Sequence, residues 1–303
     1  MSSEVAAGEG FVPFRGFRTW YRVDGDRAAP GNLPVLLLHG GPGISSDCLE
    51  PLSALALTGR SVVFYDQLGC GQSDHPDDSA LWSIALFLDE LATVRAALGL
   101  DQLHLLGFSW GGALALEYVL TRPAGLASLV LHSAFASCQT TAAIEQRAYD
   151  ALPPKIAQTL RTHEAAGTTD DPAYQAARRI FDLHFVCRID PWPDFLQRAI
   201  ARANFTIGAA MDERDDRHAP GGYKHWDITA HLGEIRIPTL VLGGRHDGLV
   251  GGQDEVLRDS IPGAEWVRFG ASAHYAHAEE PERFLAVLDE FLTRIERIPA
   301  TGA

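Results

Sequence analysis

The chain is poor in lysine, poor in cysteine and without a long apolar run, and each scarcity closes off a class of function. Lysine stands only at Lys155 and Lys224, and 25 basic residues face 39 acidic ones, for a net charge of −14. A surface that acidic repels phosphate backbones, which argues against a nucleic-acid partner. It leaves open either simple solubility or attraction of a cationic substrate. The four cysteines, Cys48, Cys70, Cys138 and Cys187, are scattered and form no CxxC pair. Neither a metal site nor a disulfide framework is indicated, and the expected setting is cytoplasmic, with free thiols. Met1–Gly10 has no basic start and no apolar stretch, so it does not read as a signal peptide. Apolar runs elsewhere fall well short of the roughly 20 residues that span a bilayer, so no membrane partner is expected.

What is present is an ordinary globular composition, 46% hydrophobic and 21% charged over 303 residues. That is enough for one large domain carrying an insertion. Val35–Leu38, Val62–Tyr65, Leu103–Leu106 and Ser128–Leu131 are short apolar runs without alternation, as expected of strands buried on both faces. Between them, Leu81–Leu98 and Ala113–Leu120 read as helices, and Gly99 stops the first. Such strand–helix alternation implies right-handed crossovers in a mostly parallel sheet. Gly10–Val23 reads as an antiparallel hairpin.

Past Phe135 the pattern turns helical, with Ala142–Leu152, Ala173–Val186 and Asp194–Asn204 as helices. Pro153–Pro154, Gly167–Asp171 and Pro191–Pro193 separate them, and Asp212–Gly222 reads as a closing loop. Strands resume at Thr239–Leu242 and Glu265–Phe269, with helices at Gln253–Ser260 and Glu282–Ile295. The expected architecture is an α/β core of residues 1–134 and 226–303 with a helical cap at 135–225.

Gly107-Phe108-Ser109-Trp110-Gly111 has the form G-x-S-x-G and sits between a predicted strand and a predicted helix. That context makes Ser109 a candidate nucleophile on a strained strand-to-helix turn. A serine needs a base held by an acid, and in this fold the order is serine, acid, histidine. Asp247 and His274 each follow a predicted strand at its carboxyl end and complete the set. His277 competes with His274 but falls where it would pack against the following helix. Asp254 and Asp259 lie inside a helix and read as surface charges. His39-Gly40-Gly41-Pro42-Gly43 follows another strand. It could supply one oxyanion donor, at Gly41, with the second from Trp110. His39 reads as a structural hydrogen bonder, and Asp66 in Asp66–Ser73 as a loop organiser. Asp66 precedes the serine, which breaks the order.

Taken together, HGGPG at 39–43, DQLGCGQS at 66–73, GFSWGG at 107–112, GRHD at 244–247 and SAHYAHAEEPERF at 272–284 resemble the proline iminopeptidase family of α/β hydrolases. The resemblance runs from about Val35 to Leu292. It implies Ser109, Asp247 and His274 as the triad and Gly41 and Trp110 as oxyanion donors, with no cofactor. The implied substrate is a small aminoacyl amide or short peptide with a free amine. Family members hold that amine with glutamates, one ahead of a Trp-Asp-Ile-Thr segment, here Trp226–Thr229. Counting back gives Asp216, with Glu213 and Asp215 beside it, as candidate substrate-binding residues. A second glutamate usually follows the triad aspartate, where this chain has Gly248. That departure keeps an amidase of a specialised aminoacylated metabolite open. It also leaves open an esterase, lactonase or thioesterase and, remotely, a non-catalytic binding protein.

Overall fold

The computed structural model describes residues 7–25, 32–213 and 216–297. An N-terminal hairpin, β1 (Gly8–Phe14) and β2 (Phe17–Asp24), pairs antiparallel onto the sheet. The parallel strands are β3 (Val35–Leu38), β4 (Val62–Tyr65), β5 (Leu103–Phe108), β6 (Leu126–His132), β7 (Thr239–Gly244) and β8 (Glu265–Phe269). The eight-stranded sheet runs β1-β2-β4-β3-β5-β6-β7-β8. Every residue of β3, β4, β5 and β7 is buried, which explains runs of Val and Leu with no polar alternation.

Helix α2 (Trp110–Leu120) packs on the central strands β3, β5 and β6, and α1 (Ile84–Ala97) packs on α2 and the edge strand β1. Helix α1 begins three residues later than the apolar spacing suggests. The Ser83 side chain accepts the Leu86 N–H at 3.1 Å and so fixes the start, leaving Leu81 in a 3-10 turn. Ser46–Thr58, a long 3-10 segment with Pro51 inside it, carried no helical period and was not anticipated.

Among the described residues five α-helices lie between β6 and β7: α3 (Cys138–Asp150), α4 (Pro154–Ala166), α5 (Pro172–Phe185), α6 (Asp194–Ala201) and α7 (Thr206–Asp212). Helices α4 and α7 were not expected. Pro153–Pro154 was read as a separator, yet Pro154 opens α4, a position where the missing N–H costs nothing. The expected Asp194–Asn204 helix ends at Ala201, and the turn after it leads into α7. The chain closes with α8 (Gln253–Ser260), the short α9 (Ala276–Glu279) and α10 (Pro281–Glu296).

The strand order places the site. From β3 the chain steps outward to β4, then crosses back to β5 on the other side of β3. The carboxyl ends of β3 and β5 therefore flank the topological switch point, where ligands bind in open α/β sheets. His39–Gly43 leaves one of these ends and Ser109 the other.

Candidate active site

Ser109 links β5 to α2 with φ 54° and ψ −120°, a conformation strained for a residue with a side chain. The surrounding glycines are required by space. A methyl group at Gly111 would stand 2.1 Å from the Leu38 carbonyl oxygen, and one at Gly107 would stand 2.3 Å from that of Gly111. The start of α2 thus rests directly on the end of β3. Ser109 is half-buried and lines a cavity of about 390 Å³ walled in part by α3 and α7. Gly41 lines the same cavity. The Trp110 N–H is at the first position of α2, where helix N–H groups have no partner within the helix.

Behind the serine, His274 and Asp247 form a buried pair. His274 Nδ1–H donates to Asp247 Oδ2 at 2.8 Å. Asp247 Oδ1 accepts the Leu249 and Val250 N–H groups at 2.9 and 3.0 Å, so the carboxylate is fixed from both sides. The backbone of His274 is held too, its N–H on the Val186 carbonyl and its carbonyl on the Ser133 hydroxyl. The Phe108 ring packs 4.9 Å from the His274 ring, which sets the imidazole beside the residue that precedes Ser109.

His277 occupies a different environment. Its Nε2–H donates to the Cys48 carbonyl at 2.7 Å, and its Nδ1 accepts from His132 Nε2–H at 2.8 Å. Both nitrogens are used, and burial pulls its pKa down to about 4. His277 is a neutral bridge in the core. His39 Nε2 accepts the Gln67 N–H, which leaves the ring proton on Nδ1 for the Gly40 carbonyl. Burial holds this imidazole neutral as well. Asp66 receives the N–H groups of Ser46 and Gln72 at 2.7 and 2.8 Å and so organises its loop. Asp254 accepts the Trp266 indole N–H and pairs with Arg268, so it is a structural carboxylate rather than a solvated one. Asp259 is an exposed partner of Arg258.

The expected amine-binding residues are placed elsewhere. Asp216 accepts the N–H groups of Ala85 and His218 and is not part of the cavity lining. Glu213 ends α7, exposed and outside the lining. Asp215 lies outside the described residues. Counting back from Trp226 fails because α7 turns the chain before that segment. The carboxylates that reach the cavity are Glu145 on α3 and Asp212 on α7, with Lys224 beside them. Desolvation raises the pKa of both. Glu145 has an ion pair with Arg178 at 3.7 Å. A sequence signal for Glu145 existed: Cys138, Thr141, Ala142 and Glu145 recur at i, i+3, i+4 and i+7, and all four line the cavity.

Gly248 has a structural reason. A methyl group there would stand 2.5 Å from Phe185 Cβ and 3.0 Å from Ala148 Cβ. The Gly248 N–H also donates to the Phe185 carbonyl at 3.1 Å. The end of α5 fills the space a side chain would need.

Comparison with known proteins is consistent in fold and length. The alpha/beta hydrolase fold family matches residues 34–281. A proline iminopeptidase of Heyndrickxia coagulans is 38% identical over 288 residues, covering 95% of this chain and 99% of that protein. A proline iminopeptidase of Levilactobacillus brevis is 36% identical, covering 96% and 98%. Among solved structures, VinJ superposes with a TM-score of 0.88 at 38% identity, covering 96% of this chain and 99% of its own. Proline iminopeptidase of Mycobacterium smegmatis superposes with a TM-score of 0.84 at 34% identity, covering 95% and 99%. Among the described residues no helix is long and apolar enough to cross a membrane.

Proposed function

The chain belongs to the proline iminopeptidase family of α/β hydrolases, and from that premise we propose that it cleaves an amide bond next to a free α-amino group through an acyl-enzyme on Ser109. The observation that carries the reading is Ser109 on its strained turn, in one cavity with Gly41 and with two carboxylates, Glu145 and Asp212.

In this mechanism Ser109 Oγ attacks the carbonyl carbon. His274 Nε2 takes the hydroxyl proton, and Asp247 holds the imidazole with its other proton on Nδ1. Negative charge on the carbonyl oxygen falls between the Gly41 and Trp110 N–H groups. One such donor is worth about 2.7–4 kcal/mol in the transition state. His274 returns the proton to the leaving amine as the C–N bond breaks. Water, deprotonated by the same imidazole, then releases the acyl group.

The substrate ammonium is received by Glu145 and Asp212, the carboxylates of the cavity lining. This replaces the family's glutamate after the triad aspartate. The substrate is a small aminoacyl amide or short peptide, and a specialised aminoacylated metabolite also fits the altered anchor.

The test compares aminoacyl arylamides with free and with N-acetylated amines. The free amine should be hydrolysed far faster, and Glu145→Gln and Asp212→Asn should raise KM for it alone. Equal turnover of the acetylated compound would overturn the amine requirement and favour an esterase-like activity. Full activity in Ser109→Ala would overturn the acyl-enzyme.

A further inference from the structure

The two proposed oxyanion donors belong to different segments, and one buried side chain joins those segments. Gln67, fully buried in the loop after β4, accepts the Trp110 indole N–H on Oε1 at 2.8 Å. Its Nε2 donates to the His39 carbonyl at 3.2 Å, and its own backbone N–H donates to His39 Nε2 at 2.9 Å. The amide can sit only one way round. Flipping it would set NH₂ against the indole N–H and oxygen against the His39 carbonyl. One side chain therefore grips the residue that carries one donor and the residue two before the other.

We propose that Gln67 is a positioning residue that sets the distance and angle between the Gly41 and Trp110 N–H groups. The proposal rests on the acyl-enzyme reading above. The backbone already rules out gross movement, since α2 abuts the end of β3 at Gly111. What remains free is rotation of the Trp110 residue about the first turn of α2, and of the glycine pair after His39. The indole is held further by Tyr223, edge-on at 5.2 Å, and by Phe87 at 5.8 Å. Those contacts are apolar and tolerate sliding, whereas the Gln67 bonds are directional. Oxyanion donors act only if preorganised, and a misplacement near 1 Å can cost on the order of a hundredfold in rate. A clamp of this kind acts on the transition state and hardly on ground-state binding.

The experiment uses the whole chain and compares wild type with Gln67→Leu, similar in size but without either side-chain bond. Four quantities are read: kcat and KM on a free-amine arylamide, inhibition by the matching aminoalkyl boronic acid, and inhibition by the product amino acid. The boronate forms a tetrahedral adduct on the serine and samples the oxyanion site; the amino acid samples ground-state binding. We expect kcat and boronate affinity to fall together, about tenfold to a hundredfold, with KM and product affinity within about threefold. The proposal is overturned if kcat stays within about twofold, or if product affinity falls in step with the other two, which marks general loosening of the site. Should Gln67→Leu not fold, Trp110→Phe removes only the indole end of the clamp and is read by the same ratios. Failure of the underlying reading looks different: wild type itself would then take no fluorophosphonate label at Ser109.

Discussion

Replacing Gly248 by alanine adds one methyl group at the seam between cap and core. Its backbone angles are not in the left-handed region, so the obstacle is space alone. The new carbon would stand 2.5 Å from Phe185 Cβ, 2.7 Å from Phe185 Cγ and 3.0 Å from Ala148 Cβ. None of these is the far end of a flexible chain, so helix α5 must shift. Overpacking of this kind costs about 1–3 kcal/mol. At about 2.1 cal/mol/K per residue, the unfolding entropy of a chain this long makes each kcal/mol roughly 1.6 °C in Tm. Gly248→Ala should therefore lower Tm by roughly 2–5 °C. It should also cut kcat, because the displaced residue adjoins Asp247. Phe185→Gly alone should destabilise by loss of apolar packing and of helix propensity, yet because it removes both clashing atoms the double variant should recover part of the Gly248→Ala loss. A coupling of 1 kcal/mol or more between the two is expected of residues in direct contact. Chemical denaturation of the four species measures it. Additive losses, or a Gly248→Ala variant within about 0.5 kcal/mol of wild type, would refute the claim that Phe185 closes this position.

Other outcomes follow from the same contacts. Ser109→Gly should be inactive but more stable by about 1 kcal/mol, because glycine relieves the strain at φ 54°; calorimetry reads it. His274→Ala should lose about 10⁴-fold or more in kcat. His277→Phe should keep most of its turnover while losing about 1–3 kcal/mol of stability for each partner left unpaired, Cys48 carbonyl and His132. For pH, burial raises the Glu90 carboxyl to about 8 from 4.5. The folded state then binds the extra proton, so stability falls as pH climbs from about 4.5 to 8. Burial lowers His277 to about 4 from 6.5, so the unfolded state binds the proton and stability rises over that lower window. The two partly cancel below pH 6.5, leaving a net fall from 6.5 to 8 that Glu90→Gln should abolish in urea titrations at each pH. Asn204 ties the segment between α6 and α7 to the Gly-rich loop after β3, its N–H on the Gly43 carbonyl at 2.8 Å and its amide on Gly69. Asn204→Ala keeps the first bond and loses the second, so a fall in kcat of no more than about tenfold is expected in steady-state assays.

How much of this was legible depends on whether the determining contacts are local. The central strands were readable within a residue or two, because burial on both faces leaves a short unbroken apolar run. Ser109, Asp247 and His274 were singled out because each follows a predicted strand, and the parallel strand order brings the carboxyl ends of β5, β7 and β8 to one edge of the sheet. The cap was read less well. Two of its helices begin at prolines that look like breaks, Pro154 and Pro172. The carboxylates of the cavity were missed for a deeper reason. Asp216 sits at the expected spacing from Trp226, yet its carboxylate is spent on Ala85 and His218, next to α1. Asp212, four residues earlier, is the one that α7 delivers to the cavity, and Glu145 comes from a helix more than sixty residues away. No local pattern couples these two; only the packing of α3 against the segment after α7 does.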